Sequence, residues 1–300
     1  MREGNSMRFF DNYQKKEDGV IRFYDVKSKK TKGWIIVIFI ACCLMALIAL
    51  FPVFWLICSS LKDLTEYLST TQILPKNPDW AGWLKTWNDF GFTKYYINSG
   101  ITVLGGVLCA VFFNGLLAYV LAILKPVGHK VVLALVMWCL LIPPTTSFVA
   151  LFVNIKKIGL TNSYIPLWLS MGANAYWVIL LKNYFESLPK DFIEAAHLDG
   201  CGDFKVFTRI ILPLSKPILV VIAIFAICAS WSDFLMPYLL LSGTDKETVM
   251  VKLFSFQNSI KTNQIDIIRA VLYSIIPPTI LFAVFQKQIM GGVMSGGIKE

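Results

Sequence analysis

The chain has 300 residues, 56% of them hydrophobic and only 16% charged, with a formal net charge of +9. Soluble domains are nearer a quarter charged, and the apolar excess here is gathered into long blocks, so an ordinary globular domain is excluded and an all-α membrane protein is expected. The positive charges flank those blocks instead of lining one face, which argues against a nucleic-acid partner. Of the seven cysteines, Cys42, Cys43, Cys58, Cys109, Cys139 and Cys228 fall inside apolar runs and Cys201 in a loop. There is no CxxC pair or Cys/His cluster, so no disulfide and no metal site is expected.

Residues 1–33 hold nine Lys and Arg and read as a basic cytoplasmic tail, too long and too polar for a signal peptide. The membrane domain is expected over 34–290, with six transmembrane helices. The first apolar run, 34–61, is long enough to cross ~30 Å of hydrocarbon, with Pro52 a candidate bend. Residues 62–97 are a mixed loop whose Trp80, Trp83 and Trp87 suit a membrane interface or a protein contact. The second run, 98–123, carries Gly105, Gly106 and Gly115, which permit close helix approach. A basic turn at 125–130 leads to a third run, 131–152, interrupted by Pro143-Pro144. The fourth covers 164–181 and the fifth 217–240. The sixth, 270–285, is expected to break at Pro277-Pro278, ahead of a Gly-rich cytoplasmic tail, 291–300. Six crossings put both termini on one side, which collects eighteen of the 28 Lys and Arg. The positive-inside rule makes that side the cytoplasm.

The polar interval 188–213 reads as two short helices meeting at a glycine. Leu188-Pro189 introduces the first, and Ala195 and Ala196 favour it while keeping one face small. Gly200 suits the left-handed position just past its end. Asp203 is expected to cap the second helix, with Phe204, Phe207, Ile210 and Ile211 as its apolar stripe. Pro213 and Pro217 mark its end. An amphipathic helix pair on the cytoplasmic side needs a partner for its exposed apolar positions.

Energy for transport has no visible source within the chain. There is no GxxxxGK[ST] loop to cradle ATP phosphates. The spans are poor in the ionisable residues an ion-coupled carrier needs, Asp233 being the one carboxylate near a span interior. His129 and His197 lie in loops and form no triad. No set of catalytic residues is visible, so a secondary carrier and an intramembrane enzyme are both disfavoured. The interval at Glu194 is left as the plausible entry point for energy from a separate subunit.

Glu194-Ala195-Ala196-His197-Leu198-Asp199-Gly200, followed at the right distance by Ile210-Ile211-Leu212-Pro213, resembles the EAA motif of bacterial ABC importer permeases. Further matches are Asn98-Ser99, Ala118-Tyr119, Ile142-Pro143, Gly159-Leu160-Thr161-Asn162-Ser163, Ser230-Trp231-Ser232-Asp233-Phe234 and the Gly-rich end. Over about residues 50–300 they look like the carbohydrate-uptake branch, and within it the second, shorter permease type of maltose-like importers. The resemblance implies a type I ABC importer permease fold. It also implies a heterodimer with a second permease, two copies of a cytoplasmic ATPase that use ATP and Mg, and an extracellular solute-binding protein. This chain itself would bind no cofactor and be a non-catalytic subunit. Glu194, Ala195, Ala196, Leu198, Asp199, Gly200, Phe207, Ile210, Leu212 and Pro213 are the implied ATPase-coupling residues, with Ile210, Leu212 and Pro213 fixing the loop to the membrane core. Asn114, Trp231 and Asp233 are candidates for a substrate pathway, and for Asp233 a capping role stays open. The expected cargo is a sugar or oligosaccharide, the alternatives an acidic sugar, a uronate oligosaccharide or glycerol phosphate. Ser232, His197 and Cys201 depart from the usual Asn, Arg and Ala of the pattern, which bears on ATPase pairing and cargo.

Overall fold

The computed structural model describes residues 29–260 and 262–297, so most of the 1–33 tail and the last three residues lie outside it. Among the described residues all regular structure is helical. Two compact units are present, one holding the first helix to Ser59 with residues 71–76, the other residues 60–70 and everything from 77 onward. In the first unit, helix α1 (Lys29–Ser60) begins in lysines and runs unbroken through Pro52. Its apolar side chains are exposed along its length, as for Met45 and Ile48.

The second unit opens with α2 (Leu64–Ser69) and α3 (Trp80–Phe90). Asp63 and Asp79 cap them, the Asp79 carboxylate accepting from the Gly82 amide at 2.8 Å. Gly91, at φ +72°, ends α3 in the left-handed conformation, and α4 (Phe92–Tyr119) starts at the next residue. A π-helical turn, Val120–Leu124, extends α4 to the 125–130 turn. The segments Ile165–Met171, Ala175–Glu186 and Lys216–Ser232 pack along α4. Gly105 shows why it can be central: a Cβ there would lie 2.3 Å from the Trp168 ring, so only glycine lets that indole seat.

Pro143-Pro144 interrupts the third run as expected. Helix α5 (His129–Cys139) and the segment Pro144–Lys157, a 3-10 turn followed by α6 (Phe148–Lys157), meet at 98°. The fourth run is not one helix. It divides into α7 (Ile165–Met171) and α8 (Ala175–Glu186). Asn174 caps α8 by accepting from the Trp177 amide, and Asn114 of α4 reaches into the break. Next come α9 (Asp191–Leu198), α10 (Asp203–Val206), a π turn at Phe207–Ile211 and α11 (Leu212–Leu214). Helix α12 (Lys216–Ser232) leaves that segment at 85°, with Pro217 in its first turn. The fifth run also divides, because α12 stops at Ser232 and α13 (Leu235–Leu241) restarts beyond Asp233. Helices α14 (Val249–Gln257) and α15 (Gln264–Gly297) complete the unit.

The expected break at Pro277-Pro278 does not occur, and α15 is continuous through both residues. The two prolines lack the amides that would bond the carbonyls four residues back, at Tyr273 and Ser274. Both carbonyls are satisfied from other helices. Tyr96 Oη donates to Tyr273 O at 2.5 Å, and Trp231 Nε1 donates to Ser274 O at 3.0 Å. Tertiary donors thus replace the missing helical bonds.

Among the described residues, three helical stretches, Lys32–Ser60, Phe92–Leu124 and Gln264–Gln286, are long and apolar enough to cross a membrane. Counting each bent pair as one span raises the number to five, against the six expected.

Candidate coupling site

The 188–213 segment is built as an exposed knob on a buried base. Asp191 and Glu194 occupy the first turn of α9, where a helix N-terminus favours negative charge. The end of α9 is a complete Schellman motif around Gly200 at φ +76°. The Gly200 amide donates to His197 O at 3.0 Å and the Cys201 amide to Ala196 O at 2.9 Å. Gly202, not Asp203, occupies the cap position of α10. Asp203 sits one residue inside the helix, which corrects the expectation that it caps the second helix. Its carboxylate lies instead 3.6 Å from His197 Nε2, linking the two short helices.

Ile193 and Ala196 of α9, with Val206, Phe207 and Ile211, are buried in one core with Tyr119, Leu121 and Ala122 from the end of α4. Each large side chain so buried contributes about 1.5–3 kcal/mol. The Phe207 ring lies 5.4 Å from that of Tyr119. Ile210 and Leu212 pack against the same core, whereas Pro213 is exposed. Pointing away are Glu194, Ala195, Asp199 and Gly200, with Phe192, Leu198 at 89% exposure and Phe204. The two alanines of the motif therefore differ: Ala195 faces out and Ala196 in. A cavity of about 340 Å³ runs beside α9, floored by Ala122, Ile123, Leu124 and Ile193 and rimmed by Lys125, Lys190, Glu194 and His197. Lys125 was not singled out from the sequence beyond its place in a basic turn. It adopts the left-handed conformation, φ +44°, and its Nζ meets Glu186 at 3.2 Å, alongside Lys182 at 2.7 Å.

The three candidate pathway residues do not come together in one polar opening. Asn114 is fully buried. Its amide donates to Ala110 O and Met171 O and its Oδ1 accepts from the Asn174 amide, so it closes the gap between α7 and α8. Trp231 is nearly buried and committed to Ser274 O. It borders a cavity of about 180 Å³ whose other walls are Gly100, Val103, Ile227, Cys228, Pro277, Pro278 and Leu281. Those walls offer little to a sugar hydroxyl. The Asp233 carboxylate lies beside the amides of Phe234, Leu235 and Met236, at the break between α12 and α13, where Phe234 holds the cap position of α13. No group of three or more His, Cys, Asp or Glu placed to hold a metal exists among the described residues.

Residues 103–290 match the family described as binding-protein-dependent transport system inner membrane component. The diacetylchitobiose uptake system permease protein NgcG of Streptomyces coelicolor is 30% identical over 84% of this chain and 85% of its own length. The probable ABC transporter permease protein YurM of Bacillus subtilis is 30% identical over 92% of this chain and 93% of its own. The melibiose/raffinose/stachyose import permease protein MelC, also of Bacillus subtilis, is 28% identical over 91% of this chain and all of its own, 100%. In fold, the chain matches a subunit of a bacterial ABC transporter involved in import of the acidic polysaccharide alginate. That match has a TM-score of 0.79 at 24% identity, covering 87% of this chain and 98% of that one. With the family match spanning well over half of its length, this chain belongs to the binding-protein-dependent transport system inner membrane components, the permeases of ABC importers.

Proposed function

We propose that the chain is one of two permease subunits in an ATP-driven importer of a sugar or oligosaccharide. Its partners are a second permease, two copies of a cytoplasmic ATPase that use ATP and Mg, and an extracellular solute-binding protein. Six crossings are proposed, with α7 and α8 together making the fourth, and both termini and the 188–213 loop on the cytoplasmic side. The observation that carries this is the mechanical form of the loop. Its outward positions, Phe192, Glu194, Ala195, Leu198 and Phe204, are free for a partner, while Phe207 and Ile211 are locked into the core at the end of α4. A push on the knob is therefore delivered to the central helix. ATP-driven closure of the ATPases would carry α9 as a lever and turn the bundle from inward-facing to outward-facing, a two-state switch biased by nucleotide.

The named sugar permeases among its relatives support a neutral oligosaccharide as cargo. The fold match to the alginate importer favours a second cargo class, an acidic sugar or uronate oligosaccharide. The test is affinity capture of the tagged chain from its native membrane. A second permease and an ATPase should copurify with the native protein, and the ATPase should be lost with Gly200→Pro, which cannot take a positive φ. Recovery of the native chain alone, moving substrate without ATP, would overturn the proposal.

A further inference from the structure

Helix α3 has an exposed face that is itself divided. Thr86 and Phe90 are buried and Trp83 and Trp87 half-buried, so at 100° per residue the remaining positions cover about half the helix circumference. One edge of that half is apolar, Trp80 at 62% exposure and Leu84 at 70%. The other edge is Lys85 and Asp89, with Ala81 and Asn88 between. Two wholly different surroundings are implied for one short helix.

The level of the membrane boundary can be read from α4. Its exposed positions Ile97, Ile101, Leu104 and Leu108 recur at helical spacing and form a continuous apolar stripe. Just ahead of them, Thr93 and Lys94 are exposed and polar. At 1.5 Å per residue, water gives way to hydrocarbon within about 5 Å of axis between Lys94 and Ile97. Helix α3 is held at this level. Phe90 stacks on Phe92 with ring centroids 3.8 Å apart, Trp87 on Phe92 at 5.1 Å, and Trp83 and Trp87 both meet Tyr273 edge-on. Its first turn is pinned by Asp79, which pairs with Arg269 of α15 at 2.8 Å, while Arg269 also donates to Ser60 O and Lys62 O.

We propose that α3 is an interfacial helix whose Trp80/Leu84 edge is seated in the phospholipid headgroup–acyl boundary, with the Lys85/Asp89 edge in water. An indole with one apolar body and one polar N–H suits that layer, and an amphipathic helix whose apolar edge is narrow lies on a membrane without crossing it. In the orientation proposed above, which this placement rests on only for the choice of leaflet, the leaflet is the outer one. Through Arg269 and the aromatic stack, lipid then becomes a fixed support for the ends of α4 and α15.

The test places the photoreactive residue p-benzoylphenylalanine at Leu84, Lys85 or Leu104, one site at a time, in the full chain assembled with its partners. The complexes are reconstituted in phosphatidylethanolamine/phosphatidylglycerol vesicles doped with a fluorescent phospholipid and illuminated. Fluorescent adducts should form at 84 and at 104, each several-fold above 85. A protein adduct at 84 in place of lipid, or equal lipid labelling at 84 and 85, would overturn the interfacial helix. Labelling absent at 104 as well would overturn the lipid-facing stripe that sets its level.

Discussion

Gly200 and Asp79 illustrate how single residues hold this protein in two different ways. Gly200 is a purely backbone requirement, because a Cβ at this position meets nothing within 4 Å while φ is +76°. Gly200→Ala should cost about 1–2 kcal/mol from the left-handed conformation alone. In the purified chain that should appear as a fall in thermal midpoint of roughly 2–4 °C. An unchanged midpoint would mean the turn relaxes freely. Asp79 acts through its charge. The Gly82 amide, and after it the Arg269 guanidinium, hold its carboxyl below the usual aspartate range against the opposing effect of burial. A folded value below the unfolded one contributes stability that is complete above the ordinary aspartate range and is lost as pH falls through the lowered value. Asp79→Asn should therefore lower the midpoint at pH 7 and flatten its decline in acid. The cost is about 2 kcal/mol, discounted from that of a buried pair because the Asp79 side chain is 31% exposed. Parallel melting curves from pH 3 to 7 for native protein and variant would show the difference, and identical slopes would remove Asp79 from the account.

Among the elements, α15 is the one whose sequence is most misleading. A Pro-Pro pair in an apolar run is an ordinary signal for a break, and at Pro143-Pro144 the chain does turn by 98°. At Pro277-Pro278 the freed carbonyls find Tyr96 Oη and Trp231 Nε1, so no water or chain reversal is needed. Removing one donor should expose the cost. Trp231→Phe leaves Ser274 O buried without a partner and should destabilise by about 1–3 kcal/mol. Pro278→Ala restores an amide for that carbonyl, so in the double variant the loss should be much smaller than the sum of the singles. Strict additivity would show that the indole is not standing in for the missing helical bond. The same comparison separates support from transport, since a pathway role for Trp231 predicts lost uptake that Pro278→Ala does not recover.

For the whole molecule, the orientation proposal has a direct check. Alkaline phosphatase fused after Gly128, in the 125–130 turn, should be inactive, and fused within the loop after Asn258 it should be active, because the enzyme matures only outside the cytoplasm. The reverse pattern would invert the topology and take the 188–213 loop out of reach of any cytoplasmic ATPase.

Much of this protein follows from local rules. Apolar blocks must avoid water, a positive-φ turn selects Gly200, and the Glu194-to-Pro213 spacing spells a helix, a turn and a second helix that closes on a core. These depend on residues near one another in sequence, so they were legible without coordinates. The tertiary structure decided what depends on distant donors and neighbours. Asn114 of α4 closes the split between α7 and α8. Ala196 faces the core while Ala195 faces out, because Ile193 and Phe207 claim one side of the loop. Pro277 and Pro278 stay inside a helix because Tyr96 and Trp231 lie within hydrogen-bonding reach. A carbonyl without its helical partner is a cost whose sign is set by whatever packs beside it, and that neighbour is 43 residues away for Trp231 and 177 for Tyr96.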